Sequence, residues 1–361
     1  MKGSLGELAS SRQNNFDFIR FAAASLVIFS HAYPLSGRND FEPLLVLTGG
    51  IQSLGGIAVA IFFIISGYLI TQSYDRSAHL FNFLVARILR ILPGLMFVLL
   101  LTVFVLGPLV TDLSLNDYFS NPATLDYLKN IMLHPIRFYL PGVYEHNVYQ
   151  GAVNGSLWTL EFEAFCYLIV ACLGMLRLLK KPFILLFFLF VLAVPHIPFI
   201  INQYYYTSLI SLELVKYFAA GMMLYAFRNH IPHNKYLAWF SGLMLLVGLI
   251  DTAHFKLFVA IFGAYLVMYL AFKPTKSLYQ FSKRGDFSYG IYIYAFPIQQ
   301  LVAMWFGDSI TPAKSFVFSY PLTLICAYIS WHLIEKHALK LKKFKFPGLL
   351  AKQANRTAKD L

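Results

Sequence analysis

Ten apolar stretches recur along the chain, bounded by polar clusters or by Pro and Gly. They lie at roughly 16–34, 55–73, 87–107, 157–176, 183–199, 205–227, 236–252, 255–272, 287–306 and 314–334. A helix needs about 20 predominantly apolar residues to cross a bilayer core. The fifth stretch is short and carries Pro195 and Pro198. The pattern predicts an all-α, polytopic integral membrane protein of about ten transmembrane helices. No repeat, low-complexity tract or soluble domain interrupts it. The expected organisation is one transmembrane domain over 1–335, including an extracytoplasmic loop at 108–156, and a basic cytoplasmic tail over 336–361.

Composition agrees. Hydrophobic residues make up 58% of the 361 and charged residues 13%, with a mean hydropathy of +0.62. An ordinary soluble domain is about 25% charged. The net charge of +12 would suit a nucleic-acid binder in a polar chain. In a chain this apolar it reads as cations collected by cytoplasmic loops, and no nucleic-acid partner is expected. With the N-terminus inside, 22 of the 29 Lys and Arg fall on inner segments and five on outer ones. Arg20 and Lys216 fall within spans. This asymmetry predicts an even number of spans and two cytoplasmic termini. No removable signal peptide is expected, because a small-residue cleavage site is lacking near the start. Cys166, Cys172 and Cys326 all lie in apolar runs, so neither a disulfide nor a metal site is expected.

The charges inside the apolar stretches carry the chemistry. An ionisable residue in a span is a functional candidate by default. Arg20 and His31 are eleven residues apart on the first helix. That spacing is three turns plus roughly 20°, so both share a face, roughly 16 Å apart along the axis. Arg87 and Arg90 open the third stretch at the inner surface, three residues apart on one face. They read either as topology markers or, with Arg20, as a phosphate clamp, since guanidinium forks bind phosphate oxygens bidentately. Ser156 and Glu163 are seven apart at the outer end of the fourth stretch, within about 20° of one helical face. An unpaired carboxylate there would be costly, and His31 is the expected partner of Glu163. Ser66-Gly67 is a packing notch in a bulky run. Asp286 is an expected helix cap, Glu213 and Lys216 an expected pair, and His332 and Glu335 are expected at the inner interface.

These stretches resemble the type-3 membrane acyltransferase family, integral-membrane O-acetyltransferases of surface polysaccharides and other glycans. The resemblance rests on FDFIRFAAASLVIFSH, FFIISGYLI, RILRILP, NGSLWTLEFEAFCYL, DFSYGIYIYAFPIQQ and SWHLIEK in that order, over roughly 14 to 337. It implies a ten-span core. It places the family's key positions on Arg20, His31, Arg87, Arg90, Ser156 and Glu163. Glu161 stands where the family commonly has a non-acidic residue, often proline. Some members carry a further esterase-like domain after the core, and none is expected here.

The resemblance implies a bacterial inner-membrane acyltransferase. Arg20, Arg87 and Arg90 would bind acetyl-CoA, or another acyl-CoA, from the cytoplasm. His31, Glu163 and Ser156 would form the catalytic set. The acceptor would be a glycan or lipid-linked saccharide, with membrane lipids as the surrounding partners. His31 is read as general base or as acyl carrier. The acceptor, the acyl group and the oligomeric state stay open at this point. So does a secondary transporter or flippase, although the inverted repeats of that class are lacking.

Overall fold

The computed structural model describes residues 3–9, 13–77, 79–150, 152–194, 207–273, 275–281 and 285–343. Among them there is no β-strand, only two isolated bridges, and ten long helices follow the ten apolar stretches. These are α1 (Phe16–His31), α2 (Leu54–Ser77), α3 (Leu80–Leu101), α4 (Trp158–Met175), α5 (Lys181–Ala193), α6 (Thr207–Ala226), α7 (Lys235–Ile250), α8 (Thr252–Phe272), α9 (Ser288–Phe306) and α10 (Pro312–Ser330). Six helical runs, containing α1, α2, α3, α4, α8 and α10, are long and apolar enough to cross a membrane. α5 and α7 are apolar but shorter. Residues 195–199 of the fifth stretch, 205–206 of the sixth and 344–361 of the basic tail lie outside the described residues.

Two boundaries differ from expectation in ways that matter. α3 starts at Leu80, about two turns before Arg87, because the mostly apolar segment Leu80–Val85 extends the helix. Arg87 and Arg90 therefore lie inside the helix and not at its opening. At the other end α3 continues through a wide turn, Thr102–Leu106, to Val110. Ahead of α4, Ser156 belongs to a tight turn, Gly155–Leu157, whose first N–H groups are capped by Asn154 (Ser156 N to Asn154 Oδ1, 3.2 Å). Ser156 and Glu163 thus do not share one continuous α-helical face.

α2 runs through the centre and packs against α1, α4 and α6. Its crossing with α6 is set by two glycines. A Cβ on Gly67 would lie 1.9 Å from the Phe218 carbonyl, and one on Gly221 would lie 2.1 Å from the Ile64 carbonyl. Only hydrogen at both positions lets the backbones approach so closely. The expected notch at Gly67 is therefore a helix contact.

α9 is buried around most of its circumference, and its polar residues bond backbone that would otherwise go unpaired. Pro297 inside α9 has no N–H for the carbonyl of Ile293. The Asn154 side-chain amide donates to that carbonyl at 2.9 Å. Gln300 donates to the carbonyls of Tyr149 (2.8 Å) and Ala152 (2.7 Å), and Asn147 donates back to Gln300. These bonds fasten the long segment between α3 and α4 onto the His31 end of the bundle.

Candidate active site

α1, α3 and the start of α9 meet at one end of the bundle and bring their charges together there. Asp286 Oδ2 accepts from Arg90 at 2.6 Å and lies 3.4 Å from Arg20. Arg20 also pairs with Asp17, one turn back on α1. The other oxygen of Asp286 accepts from the Ser288 hydroxyl at 2.6 Å. Burial alone would raise the Asp286 pKa; Arg20 and Arg90 outweigh that and hold the carboxyl well below the ordinary carboxylate range. The expected cap is thus an ion-pair hub: Ser288 bonds remain, but the carboxylate mainly joins two arginines of different helices.

These residues line a cavity of about 330 Å³, together with Arg87, Glu163, Tyr167 and Lys342. Arg87 rests near the rings of Phe83 and Tyr167, each 5.8 Å from its guanidinium carbon, and reaches Ser73 Oγ at 3.4 Å. Among the described residues no carboxylate stands at ion-pair distance from Arg87 or Lys342. Four cations therefore face two carboxylates, Asp286 and Glu163, in one mostly apolar cavity. Such a surplus attracts a polyanion.

His31, the last residue of α1, lines a second cavity of about 260 Å³ with Asn39, Gln52, Trp158 and Glu213. Val59 and Tyr292 line both cavities, so the two adjoin there. The Tyr292 and Thr159 hydroxyls are hydrogen-bonded at this junction. The His31 ring packs edge-on against Phe296, with centroids 5.3 Å apart. Its Nδ1 is buried and has no hydrogen-bond partner among the described residues.

The structure unites Arg20, Arg87 and Arg90 as expected, and puts Glu163 with them. The expected bond between Glu163 and His31 is not formed. Glu163 accepts from Tyr167, one turn on, and lines the arginine cavity. Ser156 is buried with an unpartnered hydroxyl and lines neither cavity. A Cβ built on the neighbouring Gly155 would lie 2.6 Å from the Phe296 ring, the ring on which His31 packs. Glu161 pairs with His134 at 2.6 Å. Glu213 and Lys216 pair at 2.9 Å, as expected. Glu335, at the wide turn Trp331–Glu335, is buried and accepts from the Ser330 hydroxyl at 2.9 Å. Sequence reasoning missed the roles of Asp286 and Lys342. A carboxylate directly before the apolar DFSYGIYIY run was a signal for the first. Lys342 is hidden among the many lysines of the tail.

Comparison with known proteins identifies the family. A protein-family model described as an acyltransferase domain matches residues 13–332. A protein of Shigella phage Sf6 named O-acetyl transferase is 32% identical over 341 residues, covering 91% of this chain and 96% of that protein. A protein of Rhizobium leguminosarum bv. viciae named Nodulation protein 10 is 31% identical over 383 residues, covering 94% of this chain and 97% of its own length. No solved structure matches. The chain belongs to the type-3 membrane acyltransferase family and is an O-acyltransferase.

Proposed function

We propose that this protein moves an acetyl group from cytoplasmic acetyl-CoA to a hydroxyl of an extracytoplasmic or lipid-linked glycan, across the inner membrane of a bacterium. The carrying observation is the pair of adjoining cavities, one rich in cations and the other lined by His31, meeting at Val59 and Tyr292. In this reading the bundle has ten spans with both termini inside, as the distribution of Lys and Arg supports. The arginine cavity then opens to the cytoplasm and takes the CoA phosphates on Arg20, Arg87 and Arg90. The pantetheine arm runs past Val59 and Tyr292 and delivers the thioester to His31.

At His31 the acceptor oxygen bonds to the acyl carbon as the carbon–sulfur bond breaks. His31 takes the acceptor proton and passes it to the CoA sulfur, or first carries the acyl group itself. Because Nδ1 is buried, Nε2 is the nitrogen this reading uses. Glu163 holds Tyr167 beside Arg87 and so belongs to the donor side. Ser156 lines neither cavity and takes no step in this reading. The amides of Asn39 and Gln52, the Glu213 carboxylate and the Trp158 ring suit the hydroxyls and apolar face of a sugar. The name O-acetyl transferase of the phage relative supports acetyl as the group moved.

The test is a mass-spectrometric scan of surface and lipid-linked glycans from cells lacking the protein, complemented with wild type or His31→Ala. An alkali-labile acetyl increment present only with wild type is the expected result. An increment equally present with His31→Ala removes His31 from the chemistry. No glycan increment in any strain refutes the acceptor assignment.

A further inference from the structure

The lysine-rich segment after α10 lies against the donor cavity. The helix continues through Lys336–Lys340 into a turn, Leu341–Lys343, and both pack on α3, the helix that carries Arg87 and Arg90. Leu339 and Lys342 line the cavity from this side. Membrane attraction is the simplest reading of a basic tail. It does not account for a lysine turned into a cavity that already holds three arginines.

The pairing pattern sharpens this. Arg20 and Arg90 are partly neutralised by Asp286, and Arg20 also by Asp17. Arg87 has Glu163 in the same cavity but no carboxylate at ion-pair distance, and Lys342 faces Arg87 and Arg90 with no carboxylate at ion-pair distance among the described residues. Like charges gathered in one cavity without carboxylates of their own are unfavourable until an anion joins them. Arg87 lies deeper, between aromatic rings, while Lys342 is exposed at the mouth. The two ends of CoA differ in the same sense. Its thioester arm must go inward, and its 3′-phosphate, a monoester with nearly two charges, is at the opposite end.

We propose that Lys342 binds the 3′-phosphate of the acyl donor and makes the enzyme selective for CoA over donors lacking that phosphate. This rests on the acyl-CoA reading above. It adds a binding residue from outside the six motifs, and turns the Lys336–Lys343 segment into the lip of the donor site.

The test is CoA binding to purified full-length protein in nanodiscs of zwitterionic lipid. The probes are CoA and 3′-dephospho-CoA, with wild type, Lys342→Ala and Lys342→Arg. Loss of one charge-assisted contact weakens binding about tenfold. Lys342→Ala is expected to lose about that factor for CoA and under about twofold for 3′-dephospho-CoA, with Lys342→Arg near wild type. Equal losses for both ligands, or none, overturn the proposal. So does a Lys342→Arg protein as impaired as Lys342→Ala, which would make the effect structural. A phosphate is also offered by lipid headgroups. If anionic lipid in the nanodisc competes with CoA in wild type and not in Lys342→Ala, the site belongs to a headgroup and the proposal fails. If wild type binds neither probe, the donor reading itself fails, and this inference with it.

Discussion

Arg20 and His31 stand at opposite ends of the same helix, and their surroundings differ in kind. Around Arg20 the surroundings are charged: Asp17 and Asp286 pair with it, Asp286 joins it to Arg90, and Arg87 and Lys342 share the cavity. Around His31 the ring packs on a phenyl ring and its Nδ1 has no partner among the described residues; Glu42, Glu213 and Lys256 line the same cavity, none of them at ion-pair distance from it. The physical reason is the cost of the bare group. A permanent guanidinium in an apolar bundle requires compensation, because desolvating an unpaired charge costs several kcal/mol. An imidazole can stay neutral and forgo a hydrogen bond at a much smaller cost. One end is therefore preset by electrostatics and the other by shape. Damage at the first should show in folding and donor binding, and damage at the second in chemistry.

The sharpest attempt to break that division is His31→Ala. Transfer should fall by about 10²–10⁴-fold, the usual loss for a positioned acid–base group. The Kd for CoA should stay within about twofold, since the variant leaves every cation in place. Transfer and CoA affinity falling together would show that the two ends are one site. Asp286→Ala attacks the other end. It leaves Arg20 and Arg90 facing each other without their shared carboxylate, whose side chain is only 15% exposed. Breaking a buried pair in this way costs roughly 3–5 kcal/mol. Thermal unfolding in nanodiscs should drop sharply, and added CoA should recover part of the loss because its phosphates can replace the carboxylate. Asp286→Asn keeps the acceptor for Ser288 and should fall between. An Asp286→Ala protein that melts like wild type would mean that the arginine end is not held by this hub.

A smaller effect separates architecture from both sites. Gly67→Ala places a methyl group against the Phe218 carbonyl, where the free distance is 1.9 Å. The backbones of α2 and α6 must then part, at a cost of about 1–3 kcal/mol. Val59, on α2, lines the junction of the cavities, so transfer should fall more than CoA affinity. Equal falls would mean that α2 shapes the donor cavity as much as the junction.

What the sequence revealed, and what it hid, follows the same division. Hydropathy located a helix for every apolar stretch, since lipid leaves a chain few alternatives. Periodicity put Arg20 and His31 on one helix, and the i, i+3 spacing united Arg87 with Arg90. Pairing across distant segments was not legible. Asp286 meets Arg90 across 196 positions, and nothing local distinguishes a hub carboxylate from a helix cap. Glu163 was assigned to His31 because it needed a partner, while the nearer Tyr167 met that need one turn away. Ser156 missed the face of Glu163 because the Asn154 cap tightens the turn before α4, which heptad arithmetic assumes to be α-helical. Glu335 is buried at a wide turn, and such turns leave little trace in composition.

The smallest effect tests the arginine end by titration. Partial burial, and then Arg87 and Arg90, push the Lys342 ammonium down to about 8. It is charged below that value and becomes neutral as pH rises through it. Wild-type affinity for CoA should therefore weaken severalfold between about pH 7 and pH 9. Lys342→Arg should be flat over that interval, because a guanidinium stays protonated. On the acid side Asp286 remains ionised below the ordinary carboxylate range, so the hub stays intact as pH falls from 7 to 5. The ligand changes there instead: a phosphate monoester takes up its second proton near pH 6. The preference for CoA over 3′-dephospho-CoA should thus be greatest between about 6 and 8 and decline on both sides. If the preference keeps rising above pH 8 in wild type, the group that reads the 3′-phosphate is an arginine, and the mouth of the cavity owes its selectivity to α3 alone.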